Sequence, residues 1–246
     1  MIHFTMALAG VAIGVSVQYP STERFCREYL TDAAPSVSVA VTQADIDAER
    51  VRAACQAARE GRGEPRYSDA YLETLALYRA LAKPLLAQDA LIFHGAVLAL
   101  EGRAYLFTAP SGTGKTTHSR LWLEHIPGTH VLNGDKPVLK LTAEGAFACG
   151  TPWQGKENYG CNEMLPLEAI CVLERGEENR IEPVTFSQAM TALIRQTHQP
   201  QEPELRLKTL SLLGRLGTGV RLYRMGCTME PEAAMVSFRA MRAEKA

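Results

Sequence analysis

The chain has 246 residues, 46% of them hydrophobic and 22% charged, with a formal net charge of −1. That length suits one large domain, or a core domain with a smaller annex, and it buries roughly 70–75% of the unfolded surface without a covalent staple. The near-neutral charge argues against an electrostatic footprint for nucleic acid or for anionic lipid, so neither is expected as a partner.

The first run, FTMALAGVAIGVSV, has no basic residue ahead of it and is too short and too glycine-broken to cross a bilayer. It reads as two strands turning at Ala9-Gly10. Ser21 or Thr22 then caps a short helix, ERFCREYL. SVSVAV, from Ser36 to Val41, alternates as a strand. A helix over Asp45 to Arg59 stops at GRGEP, the most loop-like stretch of the chain. Ser68 caps a long helix in which Pro84 is expected to bend or divide the run.

From residue 90 strands alternate with helices. LIFHGAVLALEG and RAYLFTA form a hairpin turning at Glu101-Gly102, and KTTHSRLWLEHI is a helix ended by Pro127-Gly128. THVLN is a strand, PVLKLT and AFACG a hairpin, EAICVLERG a strand. Two helices, SQAMTALIRQTH and PELRLKTLSLLGRLG, lead to the strand GVRLYRM and a last helix, PEAAMVSFRAMRAEK. The apolar face of that helix, Ala234, Met235, Phe238 and Met241, either docks a partner or packs on the sheet. The boundary falls near residue 88, giving a small part over 1–88 and a larger domain over 89–246.

Six cysteines lie at positions 26, 55, 149, 161, 171 and 227. None forms a C-x-x-C pair, and none stands near a histidine at metal-ligand spacing along the chain. They read as buried thiols of a reducing compartment, and a cytoplasmic protein is expected.

Ala109-Pro-Ser-Gly-Thr-Gly-Lys-Thr fits the phosphate-loop pattern G-x-x-x-x-G-K-[ST], with alanine in the first position. An apolar strand precedes it and an amphipathic helix follows. Pro110, Ser111, Gly112, Thr113 and Gly114 would turn backbone amides toward phosphate oxygens. The positive end of the helix favours the same anion. Lys115 would reach the β- and γ-phosphates, and Thr116, followed by Thr117, would offer a hydroxyl to magnesium. Asp135 ends the next strand, where a second magnesium carboxylate is expected; N-G-D is also good turn chemistry. His94 follows an apolar run and by itself reads as a satisfied core histidine.

Gly150-Thr-Pro-Trp-Gln-Gly-Lys-Glu-Asn is a polar loop in which Lys156 could bind the triphosphate tail or a second phosphate. Trp153 would stack on a base or an acceptor, or plug the core. Arg175, at the end of a strand, would neutralise a transferring phosphoryl group, or pair with Glu174 or Glu177.

FHGAVLALEGRAYLFTAPSGTGKTT followed by VLNGDKP resembles the catalytic domain of the HPr kinase/phosphatase family, relatives of the ATP-dependent phosphoenolpyruvate carboxykinases. The resemblance is specific from Leu91 to Leu141 and weaker onward through GTPWQGKENYG and PLEAICVLERG. It implies an α/β fold, a P-loop kinase-like mixed sheet flanked by helices, preceded here by a small α+β part. It also implies ATP and Mg2+ as cofactors, a hydroxyl acceptor on a small protein, peptide or metabolite, and assembly into a homo-oligomer. Lys115 and Thr116 match the family's phosphate and magnesium residues, His94 its histidine near the reacting phosphate, and Asp135 the second of an aspartate pair. Gly134 stands in place of the first, the proton acceptor. Either Asp135 does both jobs, or His94 or Glu157 is the base, or the chemistry is not serine phosphorylation. A nucleotide-binding sensor without transfer activity is the alternative function. Carboxykinase chemistry suits a longer chain, and a GTPase would carry N-K-x-D.

Overall fold

The computed structural model describes residues 1–242. The chain divides into two compact units, Met1–Gln88 and Asp89–Ala246.

In the first unit, β1 (Ile2–Leu8) and β2 (Val11–Val17) form an antiparallel hairpin. Ala9 and Gly10, at φ 51° and 76°, make the two-residue turn whose twist suits such strands. Val11, Ile13, Val15 and Val17 are all buried, the period of two expected of a half-covered strand. A short helix, α1 (Pro20–Phe25), has its N-cap at Tyr19, two residues before Ser21, and carries no side-chain cap. Thr22 lies inside it, and its hydroxyl donates to the buried Glu73 carboxylate at 2.5 Å. The same carboxylate accepts from the amides of Gln18 and Tyr19, so it satisfies the helix start from outside. β3 (Val37–Ala40) joins β2 in parallel. Thr42 and Asp45 close a capping box on α2 (Gln43–Arg59). Ser68 caps α3 (Asp69–Ala87), which contains Pro84 within one helix rather than being divided by it.

The second unit is a mixed sheet flanked by helices. Its strands are β4 (Ala90–Ile92), β5 (Ala96–Leu100), β6 (Arg103–Thr108), β7 (His130–Asn133), β8 (Val138–Leu141), β9 (Ala146–Cys149), β10 (Met164–Arg175), β11 (Arg180–Pro183) and β12 (Arg221–Cys227). Strand β10 is shared. Its first residues pair with β9, in the order β4-β8-β9-β10, and its later residues run parallel to β6 on one side and β12 on the other. It begins four residues before the sequence pattern suggests, and β11, which pairs with β12, is not visible in that pattern. The run LIFHGAVLAL is two strands, not one: β4 pairs with β8 and β5 with β6 and β7.

Among the described residues, four helices cover this sheet: α4 (Lys115–His125), α5 (Phe186–Gln196), α6 (Pro203–Gly219) and α7 (Glu232–Met241). On one face Leu98, Phe107, Cys171, Leu173 and Met225 join Trp122 of α4 and Ala233, Ala234 and Met241 of α7 in one buried cluster. The last helix therefore spends its apolar face on the core. Trp122 Nε1 donates to Ser237 Oγ at 2.8 Å, tying α4 to α7. The opposite face takes α5 and α6, and Arg224 of β12 donates to the Gln188 carbonyl of α5. The final residues of the proposed last helix, 243–245, lie outside the described residues. Among the described residues no helix is long and apolar enough to cross a membrane.

Candidate functional site

The loop 109–114 joins the end of β6 to the start of α4. Gly112 (φ 77°) and Gly114 (φ 125°) take left-handed conformations that a side chain would strain. Gly114 is the N-cap of α4 and brings no side-chain bond to it, so the first-turn amides are left for an anion. Pro110, Ser111 and Gly112 are exposed, Thr113 and Gly114 partly so. Lys115 bends back over the loop and donates to the Ala109 carbonyl at 2.8 Å. Burial lowers its pKa, opposed by the nearby Asp135 charge and helped by Lys136. Thr116 is exposed on the first turn of α4, with Thr117 partly buried beside it. Arg175, at the end of β10, donates to the Gly112 carbonyl at 2.8 Å and so reaches this loop. Glu174 is taken by Arg224 instead.

Asp135 is held by two side chains. Its carboxylate meets His94 Nε2 at 3.3 Å and Lys136 Nζ at 2.5 Å. Burial would raise its pKa, but the His94 hydrogen bond and the Lys136 charge and hydrogen bond outweigh it, and the pKa falls to about 2. His94 is not a plain core residue. It occupies the break between β4 and β5, where its amide donates to the Gln196 carbonyl and the Gly95 amide to the Asp135 carbonyl. Its Nδ1 lies 2.6 Å from Gln196 Oε1, so the ring spans α5 and Asp135 with one nitrogen on each. Thr108 Oγ1 donates to the His94 carbonyl at 2.9 Å, tying this histidine to the strand that enters the phosphate loop.

The segment 150–160 folds against the Asp135 turn. Buried Asn133 donates to the carbonyl and hydroxyl of Thr151, and its own side-chain oxygen accepts from the amides of Asp135 and Lys136. A Cβ on Gly155 would stand 3.1 Å from the Asp135 Cβ. A Cβ on Gly134 would stand 2.6 Å from the Gln154 carbonyl oxygen, so that position has no room for the aspartate of the family pattern. Trp153 is buried, and its carbonyl accepts from the Lys136 amide: of its two readings, the core plug holds. Lys156 and Glu157 are exposed at the tip of this loop.

The structure thus brings together the phosphate loop, Lys115, Asp135, His94 and Arg175. Lys136, Asn133 and Gln196 belong to the same site and escape a reading of the sequence. Lys136 is adjacent to Asp135 and could have been found as its counter-charge. Gln196 comes from a helix far along the chain and carries no signal of its own.

No protein-family model and no curated protein matches the chain. Among solved structures it is similar to the HPr(Ser) kinase/phosphatase from Coxiella burnetii, at 10% identity and a TM-score of 0.35. That match covers 61% of this chain and 93% of the other. A similarity of that size carries no argument about the site, which stands on its own geometry.

Proposed function

We propose that the carboxyl-terminal unit binds ATP with magnesium and transfers the γ-phosphoryl group to a hydroxyl of a small protein, a peptide or a metabolite. One observation carries this reading: an ionised carboxylate, Asp135, within electrostatic reach of Lys115 at the head of an uncapped helix and a glycine loop. Phosphoryl transfer asks the protein mostly for position and charge, and those are the groups present.

The loop amides and Lys115 would bind the phosphates, Lys115 exchanging the Ala109 carbonyl for a phosphate oxygen. Arg175 fixes the loop through Gly112 and adds positive charge at its rim. The Thr116 hydroxyl and the Asp135 carboxylate are hard oxygen donors, which suits magnesium. Bound there, the cation would draw charge from the β- and γ-phosphates. His94, braced by Gln196, orients Asp135. A carboxylate with a pKa of about 2 is a weak base. Asp135 therefore aligns the acceptor hydroxyl and receives its proton only as the bond to phosphorus forms.

A second reading, a nucleotide sensor without transfer, draws on Gly134, where the backbone excludes a second carboxylate. One experiment separates the two. Purified protein is given magnesium, γ-labelled ATP and a panel of hydroxyl-bearing peptides and metabolites, beside Lys115→Ala and Asp135→Asn. The kinase reading expects ATP binding weakened about 10–100-fold in Lys115→Ala and label transfer cut about 100-fold or more in Asp135→Asn. Tight binding with no transfer to any acceptor or to water would favour the sensor. Absence of ATP binding would overturn both.

A further inference from the structure

The geometry points to a second site, outside the phosphate loop: a binding place for a zinc-class divalent transition ion formed by His130, Cys161 and Glu163. One donor atom of each of the three lies within 4.8 Å of the other two. His130 Nε2 and Glu163 Oε2 are already 3.2 Å apart.

The backbone explains the convergence. Strand β7 lies at the end of the sheet beyond β5, and residues 159–161 lie antiparallel along its open edge before a bend at Asn162. The Gly134 amide donates to the Tyr159 carbonyl, Asn133 bridges Gly160, and the Cys161 amide donates to the Leu132 carbonyl at 3.1 Å. Past the bend, Glu163 comes back to the start of β7, where its carboxylate meets His130. The Cys161 Sγ faces the same stretch of β7, 3.7 Å from the Val131 carbonyl oxygen. The pairing at residues 159–161 and the His130–Glu163 contact together bring the three ligand types to one place.

The donor set is selective. An imidazole, a thiol and a carboxylate are the side chains that hold zinc, whereas magnesium prefers oxygen alone. Bonds of about 2.0–2.3 Å in a tetrahedral site set ligand atoms roughly 3.3–3.8 Å apart. The observed spread closes to that by turning His130 and Glu163, both exposed, with Cys161 half-buried between them. On binding, the thiol would give its proton to solvent and the thiolate would take the ion, leaving a fourth position for water. The ion would staple segment 159–163 to β7, whose end leads into Gly134 and Asp135.

Cobalt(II) is the probe, because a thiolate ligand gives it a charge-transfer absorption. Reduced, metal-free full-length protein is titrated with cobalt, beside Cys161→Ser, His130→Ala, Glu163→Ala and, as controls, Cys55→Ser and Asp135→Asn. The expected result is one equivalent per chain with a thiolate band. That band should be lost in Cys161→Ser, with affinity falling at least about tenfold in each of the other two ligand variants. Both controls should keep it, Cys55 being exposed elsewhere and Asp135 belonging to the phosphate site. Thermal unfolding of the metal-free variants checks folding, and His130→Ala, altering an exposed side chain, reports even where Cys161→Ser is unstable. No saturable binding in the wild type, or a band that survives in folded Cys161→Ser, overturns the site. Retention of the band in Asp135→Asn keeps this result independent of the proposed transferase.

Discussion

Ser237 has a single hydroxyl proton and more neighbours than it can serve. Its Oγ lies 2.8 Å from Trp122 Nε1, 3.0 Å from His118 Nε2 and about 3 Å from the carbonyls of Ala233 and Ala234. The proton goes to a carbonyl, so the oxygen accepts from both rings. That fixes His118 as the Nε2–H tautomer and leaves its buried Nδ1 without a hydrogen-bond partner among the described residues. Burial pulls the His118 pKa from 6.5 down to about 4. Above pH 6.5 the ring is neutral in both folded and unfolded chains. Between pH 6.5 and 4 only the unfolded chain takes the proton, so stability falls with pH, by about 3 kcal/mol across that window. Urea unfolding of the ligand-free protein from pH 7 to 4 should show this loss, and His118→Gln should flatten it. An equal slope in the variant would rule the cause out. Gly134 makes a second prediction at this scale. Restoring the family pattern with Gly134→Asp should gain no transfer activity and should cost about 1–3 kcal/mol, because a Cβ there meets the Gln154 carbonyl. Thermal unfolding and the label assay read both parts. Full stability with added turnover would contradict it.

Among the elements, the helices with clear caps and the hairpins with paired turn residues were legible. Ser68 caps α3 by accepting from the Tyr71 amide, and Glu101-Gly102 turns between β5 and β6 at φ 50° and 74°. What escaped has a physical reason. β11 is four residues ending in proline, which gives no periodicity to read. Pro166 near the start of β10 disguises the segment that pairs with β9. The break between β4 and β5 lies inside a continuous apolar run, and only the bonds of His94 and Gly95 to distant partners reveal it. The spacing of Lys115, Thr116 and Asp135 was readable, and the fold sets Lys115 within electrostatic reach of Asp135. His94 and Gln196 meet only after the fold forms. Packing between α5 and α6 depends on one small residue. A Cβ on Gly217 would stand 2.0 Å from the Phe186 ring. Gly217→Ala should therefore destabilise by about 1–3 kcal/mol through overpacking, despite the better helix propensity of alanine. The double variant Gly217→Ala with Phe186→Leu should recover part of that loss. Equilibrium unfolding measures it, and a stabilised single variant would show that the ring yields freely.

At the scale of the whole molecule, the proposed ligand should act as a fold stabiliser. MgATP at about 100 times its Kd adds about 2.7 kcal/mol to whatever it binds, which for a unit of this size raises Tm by about 5–10 °C. Calorimetry with and without nucleotide tests this, and Lys115→Ala should remove most of the shift. An unchanged Tm in the wild type at saturating nucleotide would count against binding in the carboxyl-terminal unit.

Strand β10 also bears on how the chain comes off the ribosome. It pairs Thr108 with Val172 on one flank and Arg175 with Cys227 on the other, both parallel and both distant in sequence. Parallel partners cannot be joined by a tight turn, and the entropy of closing such spans is lost before the pairing returns it. During synthesis β6 precedes β10, but β12 emerges only after α5 and α6 have followed it. Until it does, one side of the central strand offers bare amides and carbonyls beside an apolar face, and that nascent edge is where misassembly between neighbouring chains would begin.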